Sequence, residues 1–169
     1  MTLSMYQASV PAFIRTLSNL TSVLEKAAAH AAERKIDESA FLAARLYPDM
    51  FTFTRQVQIA TDFARGTGAR LAGAEPPAVE DKEASFAELA ARVDRTIDYL
   101  RTLSPASIDG SETREIVRPV RGVPKKFNGL DYLVVFALPN FYFHSTTAYN
   151  ILRHNGVAIG KGDFIGSLG

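Results

Sequence analysis

The amino-acid sequence predicts an all-α protein, a four-helix bundle with a short β-hairpin in the crossover between the third and fourth helices. Apolar residues recur in steps of three and four over four long segments, which is the period of an amphipathic helix. The connections are short except for the crossover before the fourth segment. The chain has 169 residues, 47% of them apolar and 22% charged, enough for one core, so we expect a single domain over residues 1–169.

The first long helix is predicted over Met5–Arg34, where apolar residues recur every three or four positions. Pro11 lies about two turns inside this segment, so it either bends the helix or marks its true start. A short helix is predicted over residues 38–46. It ends there because Tyr47 precedes a proline, and the residue before proline disfavours helical backbone.

The second long helix is predicted over residues 49–71, with Gly73 as its terminator. After an acidic, proline-containing connector, the third begins near Ser85, an N-cap residue with Glu88 at the capping-box position. Its apolar stripe is regular and consists of Phe86, Leu89, Val93, Ile97 and Leu100.

The crossover and the fourth helix have a different character. Residues 104–127 contain turn pairs and two short apolar runs around an Arg-Gly pair, and their two prolines restrict any hairpin to the edge of the fold. The fourth helix is predicted to begin after Asn128, which caps it, and to run to about His154, with a kink at Pro139. It is apolar nearly all round over residues 132–143, which predicts burial in the bundle centre or at a subunit contact. The glycine-rich tail after residue 156 is expected to lie across the surface.

Composition and charge exclude several classes of protein. The formal net charge is +1, from 19 basic and 18 acidic side chains, so we expect neither a nucleic-acid nor a membrane partner. The sequence has no cysteine, which rules out disulfides, thiolate metal sites and cysteine nucleophiles. It shows no signal peptide, and its most apolar run is too short to span a bilayer, so a cytoplasmic location is expected.

One basic cluster departs from the even charge distribution. We interpret it as a solvated loop rather than as a phosphate-binding arm. It consists of Arg114, Arg118, Arg121, Lys125 and Lys126.

The sequence has three histidines, and one of them is a candidate functional residue. His30 is predicted to be a surface residue, and His154 suits the negative end of the fourth helix. His144 lies deep in the apolar segment, one turn after Asn140, so both side chains point the same way. His144 either completes a polar network in the core or serves as a ligand or acid–base residue at the mouth of a pocket.

The second long helix offers partners for His144. Gln56, Gln58 and Asp62 interrupt its apolar pattern, and Asp49 lies near its start. Any of them can face the histidine, and the sequence does not decide which. Residues 65–69 superficially resemble a glycine-rich phosphate loop but lie inside the helical pattern, and we find no other catalytic motif.

Three segments carry a resemblance to a known family, namely residues 127–133, 137–144 and 149–157, with further similarity at residues 160–166 and 70–73. They resemble an uncharacterised bacterial domain family related to the DinB/YfiT-like superfamily of metalloenzymes. The resemblance covers nearly the whole chain, and it implies a DinB-like four-helix bundle that is often dimeric.

The resemblance also implies a position for a metal site. In the wider superfamily, one histidine on the second helix and an H-x-x-x-H pair on the fourth bind a divalent metal, and some members transfer low-molecular-weight thiols. His144 matches the second histidine of the pair and Asn140 the first, whereas the helix-two position falls on Gln56 or Gln58. Because neutral amides are poor ligands for zinc or nickel, the missing histidines disfavour a divalent metal here.

Three functional hypotheses follow from this departure. In the leading one, the metal site is degenerate, and a polar pocket around Asn140, His144 and a helix-two amide binds a small molecule. In the second, a metal-dependent, transferase-like enzyme uses a reshaped site with His144 and Asp49 or Asp62. In the third, the protein is a non-catalytic structural module that forms a homodimer through the apolar fourth helix.

Overall fold

Four long helices packed side by side form the body of the molecule, as the sequence predicts. The structure, a computed structural model, describes residues 3–167. Up to residue 108 the regular elements of the described chain are all helices, namely α1 (Met5–Arg34), α2 (Glu38–Leu42), α3 (Phe53–Leu71), α4 (Phe86–Arg101) and α5 (Pro105–Ile108). Helix α1 packs chiefly against α4, and α3 packs against α4 and the fourth long helix.

The remainder of the described chain begins with a single turn of 3-10 helix, and the predicted hairpin follows it. Its elements are the 3-10 turn Ser111–Thr113, β1 (Ile116–Val120), β2 (Val123–Phe127), α6 (Gly129–Asp131), a π-helical segment (Tyr132–Ala137), α7 (Leu138–His154) and α8 (Lys161–Ile165). The elements from α6 to α7 follow one another without a break and together form the fourth long helix. The predicted helical bundle with a small hairpin in the crossover is therefore confirmed.

Two predicted helix boundaries were wrong. The short helix ends at Leu42 rather than at residue 46, and α3 begins at Phe53 rather than at residue 49. The cause is Thr52, an extended residue whose side chain accepts a hydrogen bond from the Arg55 N–H and thereby caps α3. Residues 43–52 form turns, and the Phe53 N–H donates to the Ala44 carbonyl at 2.8 Å.

The two helix prolines occupy different settings. Pro11 does not mark the start of α1, because the helix begins at Met5 behind a capping box made by Ser4 and Gln7. Pro139 lies in the first turn of α7, directly after the π-helical segment. Because the fourth long helix continues through this point, Pro139 removes one backbone hydrogen bond from its interior. The apolar pattern of the sequence does not predict the π-helical segment.

The hairpin is held by a tight turn of the expected chemistry. β1 and β2 pair antiparallel, from Ile116 opposite Phe127 to Val120 opposite Val123. The two turn residues, Arg121 and Gly122, have positive φ angles of 51° and 79°. Positive φ at both central positions is typical of a two-residue hairpin loop that matches the twist of the strands.

The core forms where the predicted apolar stripes meet. All five residues of the α4 stripe are buried, and Phe13 of α1 meets Phe141 of α7 edge to face, with ring centroids 4.8 Å apart. Gly129 fixes the start of the fourth long helix against the crossover, because a Cβ built there would lie 1.9 Å from the Ser111 carbonyl oxygen. The fourth helix is not buried on all sides, however, since Val134 and Val135 are exposed.

The tail after α7 lies along α1, in agreement with its expected place on the surface. Asn19 donates to the Phe164 carbonyl at 3.0 Å, and Lys26 forms an ion pair with Asp163. Over residues 3–167, none of the helices is both long enough and apolar enough to cross a bilayer.

Candidate functional site

A buried histidine–glutamine pair joins α7 to α3. His144 is 9% exposed, and its Nδ1 lies 2.7 Å from Oε1 of Gln56. Because a carboxamide oxygen can only accept, Nδ1 carries the proton and Nε2 keeps its lone pair. The Gln56 amide is oriented in turn by its nitrogen, which donates to the Phe51 carbonyl at 3.3 Å. The pair thus fixes both the tautomer and the direction of the imidazole.

Aromatic rings enclose the imidazole. Phe63 stacks on His144 with ring centroids 6.1 Å apart and an interplanar angle of 17°. Phe143 meets it edge-on at 5.2 Å. We call His144, Gln56, Phe63 and Phe143 the His144 centre. Gln56 and Phe63 are seven residues apart, about two turns of α3, so one face of that helix supplies both.

Burial and, to a smaller extent, the positive charge of Arg55 together lower the pKa of His144 to about 4. The imidazole is therefore neutral at pH 7. With Nδ1–H already donated to Gln56, the centre offers a hydrogen-bond acceptor, Nε2, rather than a cation or a ready proton donor.

The hairpin brings an arginine to the edge of this centre. The Arg118 guanidinium lies over the Phe63 ring, 5.4 Å from its centroid. Burial, followed by the positive charge of Arg70, lowers the pKa of Arg118. The interpretation of the basic cluster as a solvated loop is therefore wrong for Arg118, which is half-buried because the hairpin folds onto α3.

The other candidate residues lie apart from the Nδ1–Gln56 contact. Asn140 donates to the Phe136 carbonyl of its own helix at 2.7 Å. Asp49 is exposed in the turns before α3. Gln58 donates to Glu83 at 2.9 Å, and Asp62 accepts from an arginine of α4. The structure thus brings Gln56 alone of the four helix-two candidates into hydrogen-bond contact with His144.

The two remaining histidines have minor places. His30, predicted to be a surface residue, is half-buried because it packs edge-on against Phe41 of α2, with ring centroids 5.9 Å apart. His154 is exposed in the last turn of α7, as predicted.

Gln58 and Asp62 belong to a second polar centre that the sequence analysis missed. Arg92 of α4 is only 1% exposed and lies 2.8 Å from Asp62, 2.9 Å from Asp81 and 3.1 Å from Glu83. Burial alone would raise the pKa of the Glu83 carboxyl, yet hydrogen bonds from Gln58 and Arg92 bring it below its usual value. We call the group formed by Arg92 and these partners the Arg92 network.

The Arg92 network fastens the connector between α3 and α4 to both helices. Arg92 also donates to the hydroxyl of Thr61 at 2.8 Å and to the carbonyl of Glu80 at 3.1 Å. A sequence signal for it existed, because Arg92 stands three residues after Leu89, on the buried face of α4, and the connector before it is acidic. A buried arginine needs carboxylate partners, and the connector supplies them.

The residues at the superfamily's metal position do not fit a divalent metal. His144 is accompanied there by two carboxamides, Gln56 and Asn140, and both amides are engaged in hydrogen bonds. Throughout residues 3–167, no three side chains among histidine, aspartate and glutamate come together in a way that could hold a metal ion. Zinc and similar ions need such a set of imidazole or carboxylate ligands.

Comparison with known proteins places the chain in a family. A family model described as Domain of unknown function (DUF1993) matches residues 5–165. The chain is also similar to a solved structure described as a DinB family member protein from Shewanella denitrificans, with 41% identity and a TM-score of 0.91, over 96% of this chain and 92% of that one. None of the curated proteins matches. The chain therefore belongs to the DUF1993 family and has the fold of a DinB-like helical bundle.

Proposed function

We propose that the protein binds a small molecule at the His144 centre without a metal ion. One observation carries this proposal. The Nδ1–H of His144 is held by Gln56, so the neutral imidazole directs an unprotonated Nε2 away from that bond. An unprotonated ring nitrogen is a hydrogen-bond acceptor, and a ligand that donates a hydrogen bond would use it.

The surroundings suit a ligand with an apolar or aromatic part. Phe143 is 56% exposed beside His144, although its ring is large and apolar. Phe51, whose carbonyl orients Gln56, is also exposed. Exposed aromatic side chains around a polar group are typical of small-molecule sites, in which apolar walls supply affinity and a few polar groups supply orientation.

The proposal is tested with two probes that differ in one hydrogen-bond donor. Phenol carries an O–H that can donate to Nε2, and anisole is a similar molecule without it. We expect phenol to bind about fivefold more tightly than anisole, since a net neutral hydrogen bond contributes about 1 kcal/mol. Binding is followed by NMR, with the Nε2 resonance of His144 as the site-specific signal.

The control variant His144→Phe keeps a ring but removes the acceptor. The ratio between phenol and anisole should fall to about one in this variant, because both probes then meet only apolar surface. Equal affinities of the two probes for the unmodified protein would contradict the proposal.

Metal analysis distinguishes metal-free ligand binding from the alternative of a metal-dependent, transferase-like enzyme. Untagged protein purified without chelator is assayed for metal and then titrated with zinc, nickel and manganese. The proposal expects no stoichiometric binding, because the donors present are one imidazole and amides. Stoichiometric metal that disappears in His144→Ala would establish the metal site instead.

A second candidate function is homodimer formation through the fourth long helix. Five of its large apolar side chains are exposed, and residues 132–143 carry no charge at all. We call these five the fourth-helix apolar face, which consists of Leu130, Val134, Val135, Tyr142 and Phe143. A second copy of the chain presents the same uncharged face, so a two-fold contact would bury both faces at once.

Light scattering on a sizing column tests the dimer. We expect a dimer for the unmodified protein and a monomer for Val135→Lys, which places a charge in the middle of the fourth-helix apolar face. Val123→Lys is the matched control, because Val123 is similarly exposed but lies on the hairpin. A monomer at all concentrations without any substitution would rule this candidate out.

A further inference from the structure

A cavity of about 190 Å³ lies on α3 between the connector and α4, and it does not include the His144 centre. We call it the Arg65 cavity. Its lining residues include Arg65, Pro77, Val79, Arg95, Thr96 and Tyr99. Its walls are largely apolar, yet arginine side chains contribute to them.

Arg65 has unused hydrogen-bonding capacity. The residue is 8% exposed, and its Nη2 donates to Asp62 at 2.7 Å. Its Nε and Nη1 are also buried, and neither has a hydrogen-bond partner among the described residues. Buried guanidinium N–H groups without acceptors are unusual, because each loses its contact with water and receives nothing in return.

The charge around the cavity is also incompletely balanced. One connected group of ion pairs lies beside the cavity. It contains four arginines and three carboxylates, namely Arg55, Arg65, Arg92 and Arg95 with Asp62, Asp81 and Glu83. One positive charge is left over. Within this group, Arg65 shares its only carboxylate, Asp62, with Arg92.

The pKa of Tyr99 also reflects the positive charge of Arg65. Burial raises the pKa of Tyr99, and the positive charge of Arg65 acts in the opposite direction. Both side chains line the cavity. Pro77 and Val79, both from the connector, provide apolar surface facing them.

We propose that the Arg65 cavity binds a small organic monocarboxylate. The carboxylate accepts from the Arg65 guanidinium and neutralises the excess positive charge, and the hydrocarbon part lies against Pro77 and Val79. A phosphate dianion fits less well, because the excess is a single charge and the walls are apolar. The proposal is independent of any ligand at the His144 centre.

Benzoate is the probe, and benzyl alcohol is its neutral counterpart of similar size. Affinities are measured by NMR titration at constant ionic strength. We expect benzoate to bind with a Kd of about 1 mM, which is ordinary efficiency for a molecule of this size. Benzyl alcohol should bind at least about tenfold more weakly, because it cannot form the charge-assisted hydrogen bond. Resonances of Val79 and Tyr99 should move, and affinities for this cavity are taken from them, so that binding of benzyl alcohol at the His144 centre is followed separately through the His144 resonances.

Two variants test the site in different ways. Arg65→Met removes the guanidinium and should weaken benzoate about tenfold while leaving benzyl alcohol unchanged. Val79→Trp fills the cavity from the connector without touching the ion pairs and should abolish binding of both probes at this cavity, as followed through the Tyr99 resonances. Arg101→Met, an exposed position at the end of the same α4 helix, should change neither affinity.

The possible results separate clearly. Three results would overturn the proposal. The first is equal binding of benzoate and benzyl alcohol at this cavity, and the second is no detectable benzoate binding at ten times the expected Kd. The third is unchanged benzoate binding in Val79→Trp. If Arg65→Met does not fold, the result for Val79→Trp and the choice between the two probes still decide the question.

Discussion

Gln56 and Gln58 stand two residues apart on α3, and both are buried, but they serve opposite polar centres. Gln56 holds one neutral imidazole among aromatic rings, whereas Gln58 bonds a carboxylate in a cluster of charges. Two residues along a helix correspond to a rotation of about 200°, so the two amides point to nearly opposite sides. The same side chain therefore takes its role from what the fold places in front of it.

The two centres also differ in how completely their hydrogen bonds are used. In the Arg92 network, the arginine is bonded to side chains of α3 and the connector and to a backbone carbonyl. In the His144 centre, one ring nitrogen is bonded and the other remains an acceptor. We infer that the Arg92 network contributes mainly to stability, whereas the His144 centre is available for a ligand.

The largest expected effect tests the structural role of the Arg92 network. Arg92→Met leaves the buried carboxylate of Glu83, and the partly exposed carboxylates of Asp62 and Asp81, without their shared partner. We therefore expect the free energy of unfolding to fall by about 3–5 kcal/mol. Urea denaturation measures it. Arg101→Met, which breaks an exposed pair with Asp98 on the same helix, should cost less than about 1 kcal/mol. Similar losses in the two variants would contradict the structural role of the network.

The second prediction concerns pH and the His144 centre. The pKa of His144 is about 4 in the folded protein and near 6.5 when unfolded, so the unfolded chain binds more protons between these values. The stabilisation is complete above pH 6.5 and is lost as the pH falls towards 4, by up to roughly 3 kcal/mol.

Comparison with His144→Phe isolates this contribution. Urea denaturation at pH 7, 6, 5 and 4 should show a difference between the two proteins that shrinks steadily towards pH 4. A difference that stays constant over this range would mean that the imidazole is protonated equally in both states.

The smallest effects come from the two glutamines themselves. Gln56→Leu leaves the Nδ1–H of His144 buried without an acceptor, which should cost about 1–3 kcal/mol. Gln58→Leu should cost less, about 1 kcal/mol, because Glu83 keeps its bonds to Arg92. Thermal or urea unfolding of the pair gives the comparison directly. A reversed order would show that the charged centre depends on Gln58 more than its contacts indicate.

The sequence predicted the bundle well because its signals are local. The period of apolar residues gave the four long helices, and the Arg121-Gly122 turn between two short apolar runs gave the hairpin. Helix starts were less accurate where a turn replaced a helical pattern, as before Phe53. These errors are confined to segments whose conformation depends on a single cap such as Thr52.

The candidate site was predictable only in part. The position of His144 in an apolar helix indicated a buried polar pair with the second long helix, but the choice among its partners depends on helix rotation. That rotation is fixed by packing, which directs Gln56 towards His144 and directs Gln58 and Asp62 towards the Arg92 network. The place of Arg92 on the buried face of α4 was a local signal for its burial, but the folding back of the connector that supplies its carboxylates has no local pattern.

The π-helical segment Tyr132–Ala137 has a consequence for how the chain can change in length. A π-helical turn holds more residues than an α-helical turn over a comparable rise, so this stretch carries surplus chain. The fourth long helix is held on both sides of this segment. Gly129 packs against Ser111 before it, and His144 is bonded to Gln56 after it. We therefore expect deletion of the exposed Val135 to be absorbed by conversion to regular α-helix, whereas the same deletion elsewhere in the fourth long helix would rotate its core residues out of place. In an alignment of homologous chains, this segment is where a gap of one residue should be found.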